Sequence, residues 1–120
     1  MAKFLIHITT GPADATKSTL GCLIAATALK EGHDVDVFLA GDGVHLFGPS
    51  TLPNQEAAGI GKLSEIIASI DEDGGNFYLS GRSSEARGYD ASILEGHRAE
   101  FAMPTKLVDL ASGADTVLCY

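Results

Sequence analysis

The sequence has no tryptophan, two cysteines and few positive charges, and each scarcity disfavours a class of protein. Aromatic residues make up 7% of the chain, which is too few for the stacking platforms of single-strand nucleic-acid binders. Eight Lys and Arg stand against sixteen Asp and Glu, a net charge of −8. That charge argues against nucleic acid and anionic membranes as partners, since both bind basic surfaces.

Motifs for metals, cofactors and disulfides are also lacking. Cys22 and Cys119 do not have the spacing of a disulfide scaffold, a CxxC pair or a zinc site. The sequence contains no GxGxxG and no GxSxG, and no two histidines stand at metal-ligand spacing. We therefore predict no cofactor and no metal. Two cysteines that form no disulfide scaffold fit a reducing compartment, and we expect the protein to lie in the cytoplasm.

Apolar runs of strand length alternate with stretches of helical periodicity along the chain. This alternation predicts parallel strands joined by right-handed crossovers, and the nearly continuous apolar strands predict a sheet covered on both faces. We predict one α/β domain over residues 1–120, a three-layer α/β/α sandwich with a mostly parallel sheet of about five strands. The predicted strands cover residues 4–8, 35–40, 77–80, 99–102 and 116–120, and the predicted helices 15–31, 63–73, 83–87, 91–95 and 104–111.

Two features suggest that this domain forms oligomers. The first predicted helix is apolar nearly all round, so it would be buried on two sides. The irregular segment 44–61 contains Val44, Leu46 and Phe47, which a monomer would leave exposed if they lay in a surface loop. The segment is therefore predicted to be functional or part of an interface.

In open α/β sheets, ligands bind beyond the carboxyl ends of the strands. We therefore expect the site in the four loops that follow the first four predicted strands. Lys17 and Arg87 would give this edge a local positive charge suited to a small anion. Alternatively, Arg87 braces its own turn by pairing with Glu85 or Asp90. The candidate ligand-binding residues at this edge are Thr10, Gly11, Lys17, His45, Ser80, Ser83 and Arg87.

The segment 11–18 is not a phosphate-binding loop of the GxxxxGK[ST] type, although it follows a strand and opens a helix. Thr16 replaces the second glycine, and Pro12 removes a backbone N–H donor. Asp14 places a negative charge where phosphate would lie, so we predict only a capped strand-to-helix turn that could hold a small anion near Lys17.

Three stretches together resemble the DsrE/DsrF-like proteins. They are Gly-Pro-x-Asp-x-Thr at residues 11–16 with the apolar helix and Gly32-His33 after it, Val-Phe-Leu-Ala-Gly-Asp-Gly-Val-His-Leu at 37–46, and Ser-Gly-Arg-Ser-Ser-Glu-Ala-Arg-Gly at 80–88. The last stretch is followed by Leu-Glu-Gly at 94–96 and by Ala-Asp-Thr-Val-Leu at 114–118. The resemblance implies a small DsrE-like α/β/α domain that assembles as a homo-oligomer, either a trimer or a hexamer.

Several members of this family are sulfur-relay subunits that carry a persulfide on a cysteine after the third strand. Their pattern is close to Cys-Gly-x-Cys-x-x-Ala-Arg-Gly, and this chain has Ser80 and Ser83 at the two cysteine positions. Serine cannot supply the thiolate that a persulfide requires. Cys22 and Cys119, in a helix and a strand, are both predicted to be inert core residues.

The sequence thus favours an oligomer that binds a small anionic ligand or a partner protein over an enzyme. One alternative is a sulfurtransferase-like protein that uses Cys119 in a sulfur relay. Another is a structural subunit of a larger relay complex.

Overall fold

The computed structural model describes residues 1–120. The strands are β1 (Lys3–Ile8), β2 (Asp34–Leu39), β3 (Glu56–Ala57), β4 (Gly61–Lys62), β5 (Asn76–Ser80), β6 (Ala99–Ala102) and β7 (Thr116–Cys119). The helices are α1 (Ala15–Lys30), α2 (Leu63–Glu72), α3 (Gly81–Ala86) and α4 (Pro104–Gly113). Three 3-10 segments lie at Pro12–Asp14, Gly41–Phe47 and Ala91–Leu94.

The central sheet has five parallel strands in the order β6-β5-β2-β1-β7. The first three crossovers, β1 to β2, β2 to β5 and β5 to β6, all move in one direction across the sheet, so right-handed connections place them on one face. The crossover from β6 to β7 runs back the other way and carries α4 over the opposite face. The fold is therefore the predicted three-layer α/β/α arrangement, with five parallel strands in the middle.

The face that packs against α1 and α2 holds the hydrophobic core. Every second residue of the strands points to this side, where the side chains join α1 and α2 in one cluster of 19 buried residues. The strands contribute Ile6, Ile8, Val35, Val37, Leu39, Phe77 and Leu79 to this cluster. In α2 the spacing of Leu63, Ile66, Ile67 and Ile70 puts all four on the buried side.

The opposite face is covered by α4 alone. This ten-residue helix contacts β1 and β6 and has no buried residue. Lys106 of α4 lies over the ring of Tyr78, with its ammonium 5.0 Å from the ring centroid. Val108 on α4 and Val117 on β7 stay exposed, so this layer is thinner and leaves apolar surface in contact with solvent.

The segment after β2 differs from its prediction as an exposed apolar loop. Residues 41–47 form a 3-10 helix, and Val44, Leu46 and Phe47 lie in the core, at most 2% exposed. The prediction was wrong because these three apolar side chains fill space beside the sheet, with Phe47 edge-on to Phe77 at 4.9 Å between ring centroids. The rest of the segment includes a two-stranded hairpin of β3 and β4.

Other elements match their predictions within a few residues. Helix α3 starts at Gly81, two residues before the predicted start, because Ser80 is the N-cap. Asp14 caps α1 by accepting a hydrogen bond from the Lys17 backbone N–H at 3.0 Å. The longest helix, α1, has 16 residues, and no helix combines the length and apolarity that a bilayer crossing requires.

We expect Gly43→Ala to destabilise the protein, since a Cβ at this position would overlap the carbonyl oxygen of Ile8. Relieving that overlap must move either β1 or the 3-10 segment, so the free energy of unfolding should fall by about 2 kcal/mol or more. Gly113→Ala is the matched control, because no atom lies within 4 Å of the position that its Cβ would take. Urea denaturation of both variants checks the expectation, and equal midpoints would contradict it.

Candidate functional site

Three loops meet at the carboxyl ends of β1, β2 and β5. Gly11 follows β1 and packs on the loop after β2 so closely that a Cβ there would overlap the Asp42 carbonyl oxygen. The Ala40 backbone N–H donates to the Ile8 carbonyl at 3.1 Å, which joins the ends of the same two strands. Only glycine permits this approach of backbone to backbone.

Ser80 and Ser83 connect the third loop to the second. The Ser80 hydroxyl accepts a hydrogen bond from the Ser83 backbone N–H at 3.1 Å and caps α3. The Ser83 hydroxyl accepts one from the Gly41 backbone N–H at 2.9 Å, across 42 residues of sequence. Neither hydroxyl donates a hydrogen bond within the protein, so each keeps a donor for a ligand.

Arg87 pairs with Asp42, and not with Glu85 or Asp90 as the bracing alternative supposed. Its Nε and one terminal nitrogen lie 3.1 and 3.0 Å from the same Asp42 carboxylate oxygen. The other terminal nitrogen donates to the Ser83 carbonyl at 3.1 Å. The guanidinium thus ties α3 to the 41–47 segment, and its charge is matched by that of Asp42.

His45 and Tyr89 form a second link between the same two segments. His45 Nδ1 and the Tyr89 hydroxyl are 2.5 Å apart, with the two rings nearly perpendicular. His45 Nε2 lies 3.9 Å from an Asp42 carboxylate oxygen, at the limit of an ion pair. Asp42 therefore stands between Arg87 and His45 at the centre of the site.

Thr10 and Lys17 occupy the same edge of the molecule but are less closely attached. Thr10 lies between β1 and Gly11, and Lys17 lies in the first turn of α1. No hydrogen bond connects the side chain of either residue to the other candidates, and the Lys17 ammonium forms no ion pair with the protein. Lys17 therefore contributes an unpaired positive charge to this edge.

The two cysteines have different environments. Cys22 is buried in α1 as predicted, and burial raises the pKa of its thiol to about 12, so it stays protonated and unreactive. The prediction that Cys119 is also an inert core residue was wrong, since its side chain is exposed. Cys119 lies on the edge strand β7 and faces the side of the sheet that only α4 covers, so no neighbouring element buries its side chain.

Asp42 and Tyr89 are the site residues that sequence reasoning missed. Asp42 directly follows the second strand, so the rule that selected His45 would have found it as well. Tyr89 carried no comparable signal, because it reaches His45 only when the turn after α3 folds back, held by a hydrogen bond from the Tyr89 N–H to the Ser84 carbonyl at 3.0 Å.

Comparisons with known proteins agree with this architecture. The ychN protein from E. coli has the same fold, with a TM-score of 0.79, 17% identity and full coverage of both chains. A conserved protein of unknown function from Bacteroides thetaiotaomicron gives a TM-score of 0.70 at 18% identity, covering 99% of this chain and 95% of the other. No curated protein matches the sequence. The sequence profile of the DsrE/DsrF-like family matches residues 2–120, and the chain belongs to this family.

Proposed function

We propose that this DsrE/DsrF-like protein binds a small anion at the carboxyl ends of β1, β2 and β5, and that it does so as a homo-oligomer without sulfur transfer at residues 80–83. The observation that carries the proposal is the pair of hydroxyls of Ser80 and Ser83, which accept backbone N–H groups and keep their own protons to donate. Hydroxyl donors beside a cation are the usual contacts of a bound oxyanion.

Charge supports the same ligand class. The Lys17 ammonium is unpaired, and Arg87 lies beside Ser83. Asp42 shares the guanidinium of Arg87, but its own side chain is 61% exposed. The Arg87 side chain is 29% exposed, so the pair is partly exposed, and it is worth about 1 kcal/mol. An incoming anion can therefore displace the Asp42 carboxylate from Arg87 at small cost.

A second candidate, a sulfur-relay role through Cys119, rests on the exposure of that thiol. A persulfide carrier needs an accessible thiolate, and Cys119 is the one accessible cysteine of the chain. Mass spectrometry after exposure to a sulfur donor separates the two functions, because only the second leaves sulfane sulfur bound to the protein. A structural subunit of a relay complex would show neither anion binding nor bound sulfur. Its partner would be another relay protein, captured with the purified chain as bait.

The oligomer is proposed from the exposed apolar surface on the α4 side. Val108 is 65% exposed and Val117 is 42% exposed. Association through this face would cover side chains that one helix cannot shield. The cytoplasm remains the proposed compartment, since both thiols are free.

For the anion, we expect Asp42→Asn to strengthen the binding of inorganic phosphate by about threefold or more, because it frees Arg87. Arg87→Gln should weaken binding by about tenfold. Asp34→Asn is the control, since Asp34 is exposed at the opposite end of β2. Calorimetric titration at low salt measures the three variants. Equal affinities in the wild type, Asp42→Asn and Arg87→Gln would show that Arg87 only braces the loops.

For the missing thiols, we expect Ser83→Cys in a Cys119→Ser background to give a thiol with a pKa below the free value of about 8.5. The Gly41 N–H that now points at the Ser83 oxygen would stabilise a thiolate there, with Arg87 nearby. Ser50→Cys in the same background is the control, as Ser50 is exposed in a loop. The measurement is alkylation rate against pH, and two identical profiles would exclude a residual anion site at this position.

For the oligomer, we expect light scattering to give three or six times the chain mass of 12.5 kDa. Val117→Glu should lower that mass, since it buries a charge in the proposed interface. Ala58→Glu, in the exposed turn of the β3–β4 hairpin, should leave it unchanged. A wild-type mass of one chain at micromolar concentration would contradict the assembly.

A further inference from the structure

A second crevice lies at the carboxyl ends of β5 and β6, on the other side of α3 from the Asp42 site. The cavity beside α3 measures about 520 Å³. Ser83 and Arg87 of the α3 region face the 41–47 segment, whereas Gly81, Ser84 and Glu85 face this crevice. The two sites therefore use different residues of α3.

The topology of the sheet favours a ligand site at this position. The connection that leaves β5 runs over the α1–α2 face, where Ile93 joins the main core. The connection that leaves β6 runs over the opposite face as α4. Adjacent parallel strands whose connections part in this way open a crevice at their carboxyl ends, and ligands of α/β proteins bind in such crevices.

One of the residues that line the crevice, Ser84, has a buried hydroxyl without a partner. Ser84 is 1% exposed, and its Oγ atom makes no hydrogen bond within the protein. A buried polar group left in this state costs free energy, whereas a ligand that supplies a partner recovers it. The unpartnered hydroxyl is a second, independent indication of a ligand.

The rest of the lining combines apolar surface with two unpaired opposite charges. Phe101, the Tyr89 ring and Met103 provide the apolar part, and Met103 is 52% exposed. Arg82 and Glu85, three residues apart on α3, are exposed, and the side chain of neither forms an ion pair or hydrogen bond. Separate positive and negative groups beside apolar walls match a zwitterion with an apolar side chain.

We propose that this crevice binds a free α-amino acid with an apolar side chain. Arg82 pairs with its carboxylate, the Ser84 hydroxyl donates to the same group, and Glu85 pairs with its ammonium. The aliphatic side chain packs against Phe101 and Met103. The two sites share only Tyr89, whose hydroxyl contacts His45 and whose ring lines the crevice, whereas Arg82, Ser84 and Glu85 take no part in the anion site.

The test is an NMR titration of backbone amides with L-leucine, with 4-methylpentanoate and 3-methylbutylamine as analogues that lack the ammonium or the carboxylate. Leucine should shift the amides of residues 81–85 and 101–103 with a Kd of about 1 mM or below. Each analogue should bind about tenfold more weakly, the loss expected for one charge-assisted contact. No shift at these amides at about 10 mM leucine overturns the proposal, as does an analogue that binds as tightly as leucine.

Matched variants separate binding from folding. Arg82→Gln changes an exposed side chain and should weaken leucine binding about tenfold, while Arg98→Gln, whose guanidinium donates to Asn76, should not. Ser84→Ala should also weaken binding, yet keep or raise the thermal midpoint because it removes the unpartnered hydroxyl. Unchanged leucine affinity in Arg82→Gln and Ser84→Ala would refute the site.

Discussion

The handedness of parallel crossovers is the constraint on which the rest of this molecule depends. Five parallel strands need a connection over a face of the sheet at every step. Because these connections are right-handed, the direction in which a connection moves across the sheet determines which face it covers. Three connections travel one way and build a thick layer with α1 and α2. The single return from β6 to β7 leaves α4 alone on the other face, where Val108 and Val117 remain exposed.

The same constraint places both candidate sites at one edge of the sheet. Since all strands of the central sheet are parallel, the loops after β1, β2 and β5 emerge at one edge and must pack on each other. Gly11 and Gly43 allow that packing by leaving no side chain between backbones. The reversal between β5 and β6 then opens a second crevice at the same edge, with α3 as the wall between the two.

The chemistry of the edge is that of hydrogen bonds and balanced charges. Asp42 lies beside Arg87 and within 3.9 Å of His45. The Asp42 carboxylate therefore neutralises the charge of the Arg87 guanidinium. The hydroxyls of Ser80 and Ser83 hold α3 against Gly41 without a thiol. The DsrE/DsrF-like domain of this chain thus has serine hydroxyls, which are weaker nucleophiles than thiols, at positions 80 and 83.

The sequence by itself determined the class of fold and the edge of the sheet at which the candidate residues gather. Local conformational preference and burial can both be predicted from the spacing of residues. Examples are the apolar runs of strand length, the Asp14 cap, and the apolar stripe of Leu63, Ile66, Ile67 and Ile70. For the same reason the element boundaries of β6 and α2 were accurate to within a residue or so.

Tertiary structure alone decided which side chains meet. The pairing of Arg87 with Asp42, the bond between His45 and Tyr89, and the burial of Phe47 depend on segments far apart in sequence. The exposure of Cys119 likewise depends on the position of β7 at the edge of the sheet and on the sparse cover that α4 gives to that face. The spacing of residues along the chain does not predict such contacts, because they form only once the crossovers have set the order of the strands.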